Sequence, residues 1–209
     1  SVLTPFRNGE ADILIGTQMI VKGHDFPNVT LVAALAADMS LYAGDYRSSE
    51  RTFELLMQAS GRAGRAEKAG EVVIQTYNPE EYSIQAVAGQ DAEYFYENEL
   101  AFRRLMKYPP YSQMAAILIL SEEENEAKTL SEKLAENIHS VCGDAVTLIG
   151  PSKAGLSRAK DRYRYVLYVK SMDEEAMACV REIAEEANRR VVNQKTCSVQ
   201  YDRDPVNGY

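Results

Sequence analysis

Gln113-Met114-Ala115-Ala116-Ile117-Leu118-Ile119-Leu120 is an apolar run of strand length in the middle of the chain. Further elements follow it in the order helix, strand, strand, helix and strand, and we predict them at residues 122–141, 146–150, 164–170, 173–190 and 197–201. This β-α-β-β-α-β order is the split βαβ arrangement of a ferredoxin-like sandwich. The second half of the chain is therefore predicted to be an α+β domain.

The segment before this run cannot continue a helix. Each proline of Tyr108-Pro109-Pro110-Tyr111 lacks the amide donor and fixes its own φ angle. Residues 82–107, which precede it, are rich in helix formers and aromatic side chains. We therefore predict three parts: a first domain at 1–80, a helical linker at 81–111 and the α+β domain at 112–209.

Three short apolar runs in the first part are typical of strands. They lie at residues 12–17, 30–37 and 71–77, and residues 51–59 have apolar side chains at helical spacing. Strand, loop, strand, helix and strand in this order predict part of an open, parallel α/β sheet. The fold class is thus α/β, with a partial parallel sheet followed by the ferredoxin-like domain.

The composition excludes several classes of protein. Of 209 residues, 45% are hydrophobic and 26% are charged, as in soluble globular proteins. The apolar runs are too short to span a bilayer, and residues 1–10 do not have the pattern of a secretion signal. We therefore predict a cytoplasmic protein without a membrane partner. The three cysteines, Cys142, Cys179 and Cys197, lack metal-binding spacing, and we expect reduced thiols and no metal.

A basic motif follows the predicted helix of the first part. In Gln58-Ala59-Ser60-Gly61-Arg62-Ala63-Gly64-Arg65, the glycines permit a tight turn and two arginines lie three residues apart. Their planar, permanently charged groups can neutralise charge on a transferring phosphoryl group. The alternative is a solvated basic turn without a ligand.

A second motif, Gly16-Thr17-Gln18-Met19-Ile20-Val21-Lys22-Gly23-His24-Asp25-Phe26-Pro27, follows the first predicted strand. In this order and spacing, the pair of motifs resembles motifs V and VI of superfamily 2 helicases. The longer pattern, with Asp45-Tyr46-Arg47-Ser48-Ser49-Glu50-Arg51-Thr52-Phe53, resembles the PriA primosomal helicase family. Residues 99–111, Arg162-Tyr163-Arg164-Tyr165 and Asp202-Arg203-Asp204-Pro205 extend the resemblance to the end of the chain.

The resemblance implies a function and a role for each motif residue. It implies the end of a RecA-like helicase lobe 2 and the C-terminal domain of an ATP-dependent 3′-to-5′ DNA helicase, acting in primosome assembly and restart of stalled replication forks. Arg62 and Arg65 would be arginine fingers and Gln58 would contact the nucleotide or relay between motifs, although a buried amide capping a turn is an alternative. The remaining roles are nucleotide sugar contacts by Gly23 and Asp25 and DNA backbone contacts by Thr17, Gln18 and Lys22. For His24, packing or a neutral donor is favoured over a general base.

The chain has no G-x-x-x-x-G-K-S/T sequence to hold ATP phosphates. ATP and Mg²⁺ are therefore expected in the full-length protein and not on this chain, whose own ATPase activity should be negligible. By resemblance, zinc is expected only on cysteines of an upstream region.

The net charge of −8 disfavours nucleic acid as a partner, so any DNA site must depend on local charge. Residues 151–170 carry a net charge of +5. The candidate DNA contacts there are Lys153, Arg158, Lys160, Arg162 and Arg164. Lys170 is a further basic residue of this segment. Tyr163, Tyr165 and Tyr168 interleave with these basic residues and would stack on unpaired bases. The alternative is a charged hairpin whose tyrosines pack on the sheet.

The partners implied by resemblance are forked or single-stranded DNA, the single-stranded DNA-binding protein and primosome proteins. A non-catalytic module that binds nucleic acid or protein is the alternative function, but it leaves the paired motifs unexplained. An independent small NTPase is excluded because the phosphate loop is missing. The exposed edge of a partial sheet also predicts self-association of the chain.

Overall fold

The computed structural model describes residues 3–17, 28–42, 44–61, 63, 70–193, 195–206 and 208. It divides into two compact units, Ser1–Leu100 and Ala101–Tyr209. The predicted division at 80/81 and 111/112 stays a prediction. None of the described helices combines the length and the apolar character needed to cross a membrane.

The first unit contains a two-stranded parallel sheet and several helices. Its elements are α1 (Leu3–Arg7), β1 (Leu31–Ala34), a 3₁₀ helix (Ala37–Tyr42), α2 (Ser48–Ser60), β2 (Glu71–Ile74), α3 (Tyr82–Gly89) and most of α4 (Ala92–Met106). The register pairs Leu31 with Glu71 and Ala33 with Val73. Two of the three predicted strands and the predicted helix are therefore present.

The predicted buried strand at 12–17 is wrong. These residues are not assigned to a strand, and the side chains of Ile13 and Ile15 are 77% and 90% exposed. An apolar run becomes a strand only when its backbone groups find a partner. Within the described residues, no strand pairs with this segment.

Aromatic side chains fill the core of the first unit. The rings of Phe53 in α2 and Phe95 in α4 stack with centroids 4.1 Å apart, and Phe95 is fully buried. Leu56, Ile84 and Val87 also belong to this cluster. Helix α2 is thus held by one apolar face, which fixes the position of its C-terminal end.

The second unit confirms the ferredoxin-like prediction. Its elements are β3 (Gln113–Ser121), α5 (Glu124–Cys142), a 3₁₀ helix (Gly143–Ala145), β4 (Thr147–Ala159), β5 (Arg162–Ser171), α6 (Glu174–Arg190) and β6 (Cys197–Arg203). The sheet order is β4-β5-β3-β6 and every pairing is antiparallel. Strand β4 continues far beyond the predicted 146–150, because strand pairing with β5 extends through residues without apolar alternation.

Both faces of this sheet are apolar. Alternate residues, including Ile117, Ile119 and Leu167, form the main core with helices α5 and α6. The intervening residues Leu118 and Val166 belong to a smaller cluster on the opposite face. Alternation therefore assigns the side chains of β5 to one face or the other. Strand β4 alternates only in part, because its register against β5 shifts between Ile149 and Ser152 and again between Lys153 and Arg158.

Candidate functional site

Most of the motif residues predicted to contact nucleotide or DNA in the first unit lie outside the described residues. These are Gln18, Lys22, Gly23, Asp25, Arg62 and Arg65, together with His24. Thr17 is described, and it is exposed on a segment without regular secondary structure. Gln58 is also described. The roles predicted for all of these motif residues stay predictions.

Gln58 lies in the last turn of α2 with an exposed side chain. The exposure rules out the alternative of a buried amide. The helix ends at Gly61, whose N–H donates to the carbonyl of Met57 at 3.0 Å. Gly61 itself has an ordinary right-handed φ of −66°, so its role in the turn does not require the special freedom of glycine. The basic motif therefore starts at the exposed end of a well-packed helix.

Polar contacts fix the beginning of α2. The Asp45 carboxylate accepts from the backbone N–H of Arg47 at 2.8 Å and from the Arg51 guanidinium. The Ser48 hydroxyl donates to the Asp45 carbonyl at 2.7 Å. These residues belong to the stretch that follows the motif V sequence, and the structure assigns them to the positioning of α2.

Asp38 is a buried acid that sequence reasoning missed. It lies in the 3₁₀ helix that comes after β1, is 3% exposed, and its Oδ2 accepts from the Tyr77 N–H at 3.1 Å. The other oxygen, Oδ1, is buried and has no hydrogen-bond partner among the residues that the structure describes. Its position at the carboxyl end of a parallel strand, where functional groups gather, is the signal that could have identified it.

The predicted DNA contacts of the second unit lie on the β4–β5 hairpin. Lys160 and Asp161 form its two-residue turn with φ angles of 50° and 62°. Positive φ at both central residues is the geometry of a type I′ turn. Lys160 is exposed at the tip of this hairpin.

Two of the predicted contacts pair with acidic groups. The Lys153 Nζ lies 2.6 Å from the Glu124 Oε1 at the start of α5. The hydrogen bond that Lys153 donates to the Glu124 carboxylate raises the pKa of Lys153. Arg158 lies 3.6 Å from the Asp161 carboxylate, and its guanidinium carbon lies 5.2 Å from the centre of the Tyr163 ring. Because its partner Glu124 belongs to α5, Lys153 is directed toward the face of the sheet that the helices cover.

The two arginines of β5 use part of their donors within the hairpin and its neighbourhood. Arg162 donates to the carbonyl of Lys195, and the Arg164 Nη1 donates to the Leu156 carbonyl at 3.1 Å. A guanidinium has five N–H donors, so further donors remain for phosphate. These contacts hold the guanidinium groups in defined places beside the hairpin.

The three tyrosines pack on the sheet, as the alternative prediction of a charged hairpin states. Tyr165 is 7% exposed and belongs to the main core, against which Tyr163 also packs. Tyr168 packs against the smaller cluster on the other face. Stacking of Tyr165 on a DNA base is therefore wrong, because strand alternation points its ring toward α5 and α6.

Lys170, counted among the basic residues of this segment, is also removed from solvent. It is 8% exposed, its Nζ donates to the Met106 carbonyl at 2.9 Å and it lies 4.1 Å from the centre of the Tyr108 ring. Burial lowers the pKa of Lys170. This lysine fixes the segment before β3 onto β5 and is not a surface charge.

Comparisons with known proteins match both units. The helicase conserved C-terminal domain matches residues 1–67, and the primosomal protein N C-terminal domain matches residues 104–206. Among solved structures, the de novo designed protein Foldit4 covers 45% of this chain and is itself covered to 97%, at 14% identity and a TM-score of 0.36, which is too low to support an inference.

Curated relatives match across both units. Replication restart protein PriA of Bacillus subtilis (strain 168) is 46% identical over 98% of this chain and 25% of its own length. The proteins of the same name from Synechocystis sp. and Borreliella burgdorferi are 42% and 31% identical, over 81% and 98% of this chain and 20% and 30% of their own lengths. The chain thus spans about a quarter of the length of these relatives. On these matches, the chain belongs to the replication restart protein PriA family and carries its helicase C-terminal and primosomal C-terminal domains.

Proposed function

We propose that this chain is the C-terminal part of a cytoplasmic, ATP-dependent 3′-to-5′ DNA helicase, which acts in primosome assembly and restart of stalled replication forks. The observation that carries the proposal is the pair of helicase motifs in the first unit, within a sequence 46% identical to a replication restart protein. The second unit would bind forked or single-stranded DNA. The single-stranded DNA-binding protein and primosome proteins are the proposed protein partners.

The first unit would contribute charge to ATP hydrolysis. Arg62 and Arg65 follow the exposed end of α2 in sequence, and guanidinium groups stabilise the negative charge that develops on a transferring γ-phosphoryl group. ATP with Mg²⁺ would supply the phosphoryl group and its counter-charge. The chain contains no phosphate-loop sequence to cradle ATP, and the described residues do not include a cluster of three potential metal ligands. The cradle would therefore come from outside this chain.

The second unit would hold DNA through its hairpin. Lys160 at the tip is exposed, and Arg162 and Arg164 present partly exposed guanidinium groups on the adjoining strand. Phosphate contacts of this kind position a protein on DNA without reading its sequence. With Tyr165 in the core, electrostatic attraction to the backbone would dominate over base stacking.

The test of the catalytic role uses the intact protein. We expect Arg62→Ala or Arg65→Ala to lower DNA-stimulated ATP turnover by roughly 10³-fold or more, with nearly unchanged DNA affinity, because an arginine finger acts mainly on the transition state. Steady-state hydrolysis and DNA titration are the measurements. Arg7→Ala, an exposed arginine of α1, is the matched control and should retain turnover.

Near-parental turnover of both variants would show that the arginines are a solvated turn without a catalytic role. The isolated chain is expected to show negligible ATPase activity, since charge without a phosphate cradle cannot position the nucleotide. DNA-stimulated turnover by the pure chain would contradict that part of the proposal.

A further inference from the structure

Polar side chains of the first unit connect the end of its parallel sheet to helix α2. The first of them, Asp38, belongs to the 3₁₀ helix Ala37–Tyr42, which comes after β1. Its Oδ2 accepts from the N–H of Tyr77, a residue that comes after β2, at 3.1 Å. The Ala37 N–H also donates to the Gln75 carbonyl at 3.0 Å. These contacts hold the 3₁₀ helix at the carboxyl ends of β1 and β2.

The same 3₁₀ helix is joined to α2 by two hydroxyl groups. The hydroxyl oxygens of Ser40 and Thr52 lie 2.7 Å apart. Thr52 donates its own hydrogen to the Ser48 carbonyl at 2.8 Å, so its oxygen accepts from Ser40. Thr52 is fully buried, and a hydrogen bond shielded from water is electrostatically stronger than an exposed one. Asp38, Ser40 and Thr52 thus form a polar bridge from the sheet to α2.

The polar bridge adds a directional contact to the apolar packing of α2. Phe53 packs against Phe95 on one side of this helix, but apolar attraction is non-directional and tolerates small shifts. A hydrogen bond depends on both distance and angle, so the bridge restricts α2 more closely. Helix α2 ends at Ser60, and Arg62 and Arg65 come soon after it in sequence. The bridge therefore relates the start of the basic motif to the carboxyl edge of the sheet, where ligands of parallel sheets bind.

Asp38 is a costly residue for a contact that only supports the fold. It is 3% exposed, and burial of a carboxyl group is unfavourable unless hydrogen bonds compensate for the lost hydration. Its Oδ1 has no hydrogen-bond partner among the residues that the structure describes. Buried polar atoms without a partner are rare, and a role in function is one reason for their retention. The position of Asp38 at the ligand edge of the sheet agrees with such a role.

We propose that Asp38, Ser40 and Thr52 are positioning residues for ATP hydrolysis. The polar bridge sets the distance of α2 from the sheet edge and thereby directs Arg62 and Arg65 toward the transferring phosphoryl group. This inference rests on the proposed function, in which those two arginines are the arginine fingers. The bridge residues act through the arginines and do not touch the nucleotide. Their loss therefore lowers kcat and leaves ATP and DNA binding nearly unchanged.

The experiment measures kcat and KM of DNA-stimulated ATP hydrolysis by the intact protein, beside its melting temperature. Thr52→Val keeps nearly the same side-chain shape without the hydroxyl, and Asp38→Ala removes the contact with Tyr77. We expect each to lower kcat by roughly 10-fold to 100-fold, since a displacement of about 1 Å can reduce a rate by about 10²-fold. Thr52→Ser restores the hydroxyl and should recover most of kcat. Glu54→Gln, at an exposed acid of α2, is the matched control and should retain kcat.

A second measurement separates positioning from a general disturbance of the fold. It compares the affinity for ADP with aluminium fluoride, which mimics the transferring phosphoryl group, with the affinity for a non-hydrolysable ATP analogue. Thr52→Val should weaken only the first, because a positioning residue acts on the transition state. Arg62→Ala and Arg65→Ala should show the same pattern.

Parental kcat in Thr52→Val and Asp38→Ala, with turnover lost in the arginine variants, would overturn the role of the bridge alone. Parental turnover of the arginine variants would reject the proposed function and this inference with it. Equal weakening of both nucleotide analogues, or a loss of kcat that Thr52→Ser does not recover, would also overturn the role of the bridge. Should Asp38→Ala lack a cooperative melting transition, the two Thr52 variants decide the outcome.

Discussion

At the scale of single residues, Tyr165 connects the core of the second unit to its surface. Its ring is buried among apolar side chains between the sheet and the helices, and its hydroxyl contributes to the lowered pKa of Glu124. We expect Tyr165→Ala to lower the free energy of unfolding by about 3–5 kcal/mol, because it removes a buried ring and leaves a cavity. Urea denaturation of the chain is the measurement.

The control for this prediction is Tyr77→Ala, which removes a ring that is 87% exposed. Its effect should stay within about 0.5 kcal/mol. If Tyr165→Ala instead left stability unchanged and weakened DNA binding, the ring would be a stacking surface after all.

A second prediction at this scale concerns pH. The hydrogen bond from Lys153, with a further one from Tyr165, holds the pKa of Glu124 below its ordinary value of 4.5. A carboxyl with a lowered folded-state pKa adds stability that is complete above the unfolded-state pKa and is lost as pH falls through the folded-state pKa. Glu124→Gln should therefore weaken the dependence of stability on pH in the acid range below about 4.5.

Thermal unfolding measured from about pH 2 to about pH 6 tests this effect. The range extends about two pH units below and above the ordinary pKa of a carboxyl group. Lys153→Met should weaken the same dependence, since it removes the main cause of the shift. An unchanged acid profile in both variants would contradict the importance of this ion pair.

At the scale of elements, the β4–β5 hairpin combines a strained turn with a basic tip. Lys160 and Asp161 adopt positive φ without being glycine, and the hairpin arginines already bind backbone carbonyls. Replacement of those arginines would disturb the hairpin as well as any DNA contact, so Lys160 gives the cleaner test. If Lys160 touches a phosphate, Lys160→Ala should flatten the log–log salt slope of DNA binding by about 0.7–0.9.

Fluorescence titrations with forked DNA at several salt concentrations measure that slope. Lys133→Ala, at an exposed lysine of α5, is the matched control and should keep the parental slope. Equal slopes for the parent and Lys160→Ala would remove the hairpin tip from the DNA interface.

At the scale of the whole molecule, the small parallel sheet leaves an apolar face in contact with solvent. Leu31 and Val73, which lie on this face, are 55% and 46% exposed. Exposed apolar sheet surface and unpaired strand edges favour association. We therefore expect the isolated chain to self-associate with rising concentration, and Val73→Lys to shift the equilibrium toward monomer.

Sedimentation velocity over a wide concentration range tests this expectation. Val192→Lys places the same charge at a fully exposed position outside this sheet and should not alter the association. Only monomer at the highest concentration would reject self-association of the chain.

The order of the elements in the second unit and the membership of the family follow from sequence patterns alone. Local periodicity is sufficient to find the strand at 113–121 and the helices around it, because each pattern repeats within a single element. The β-α-β-β-α-β order then leaves few sheet topologies. The paired motifs around Thr17 and Gln58 were specific enough to indicate the helicase family, which the matches to both domains confirm.

Contacts between residues far apart in sequence follow only from the three-dimensional arrangement of the elements. The apolar run at 12–17 has the pattern of a strand, but pairing depends on a partner edge that a local pattern does not contain. The sequence pattern is compatible with Tyr165 and Lys153 on either face of the sheet. The register of β4 against β5 pairs these two residues and places both on the face that α5 covers. The spacing of apolar residues along the chain indicates whether a segment is a helix or a strand. Burial and charge pairing depend on the distances between elements that are far apart in sequence.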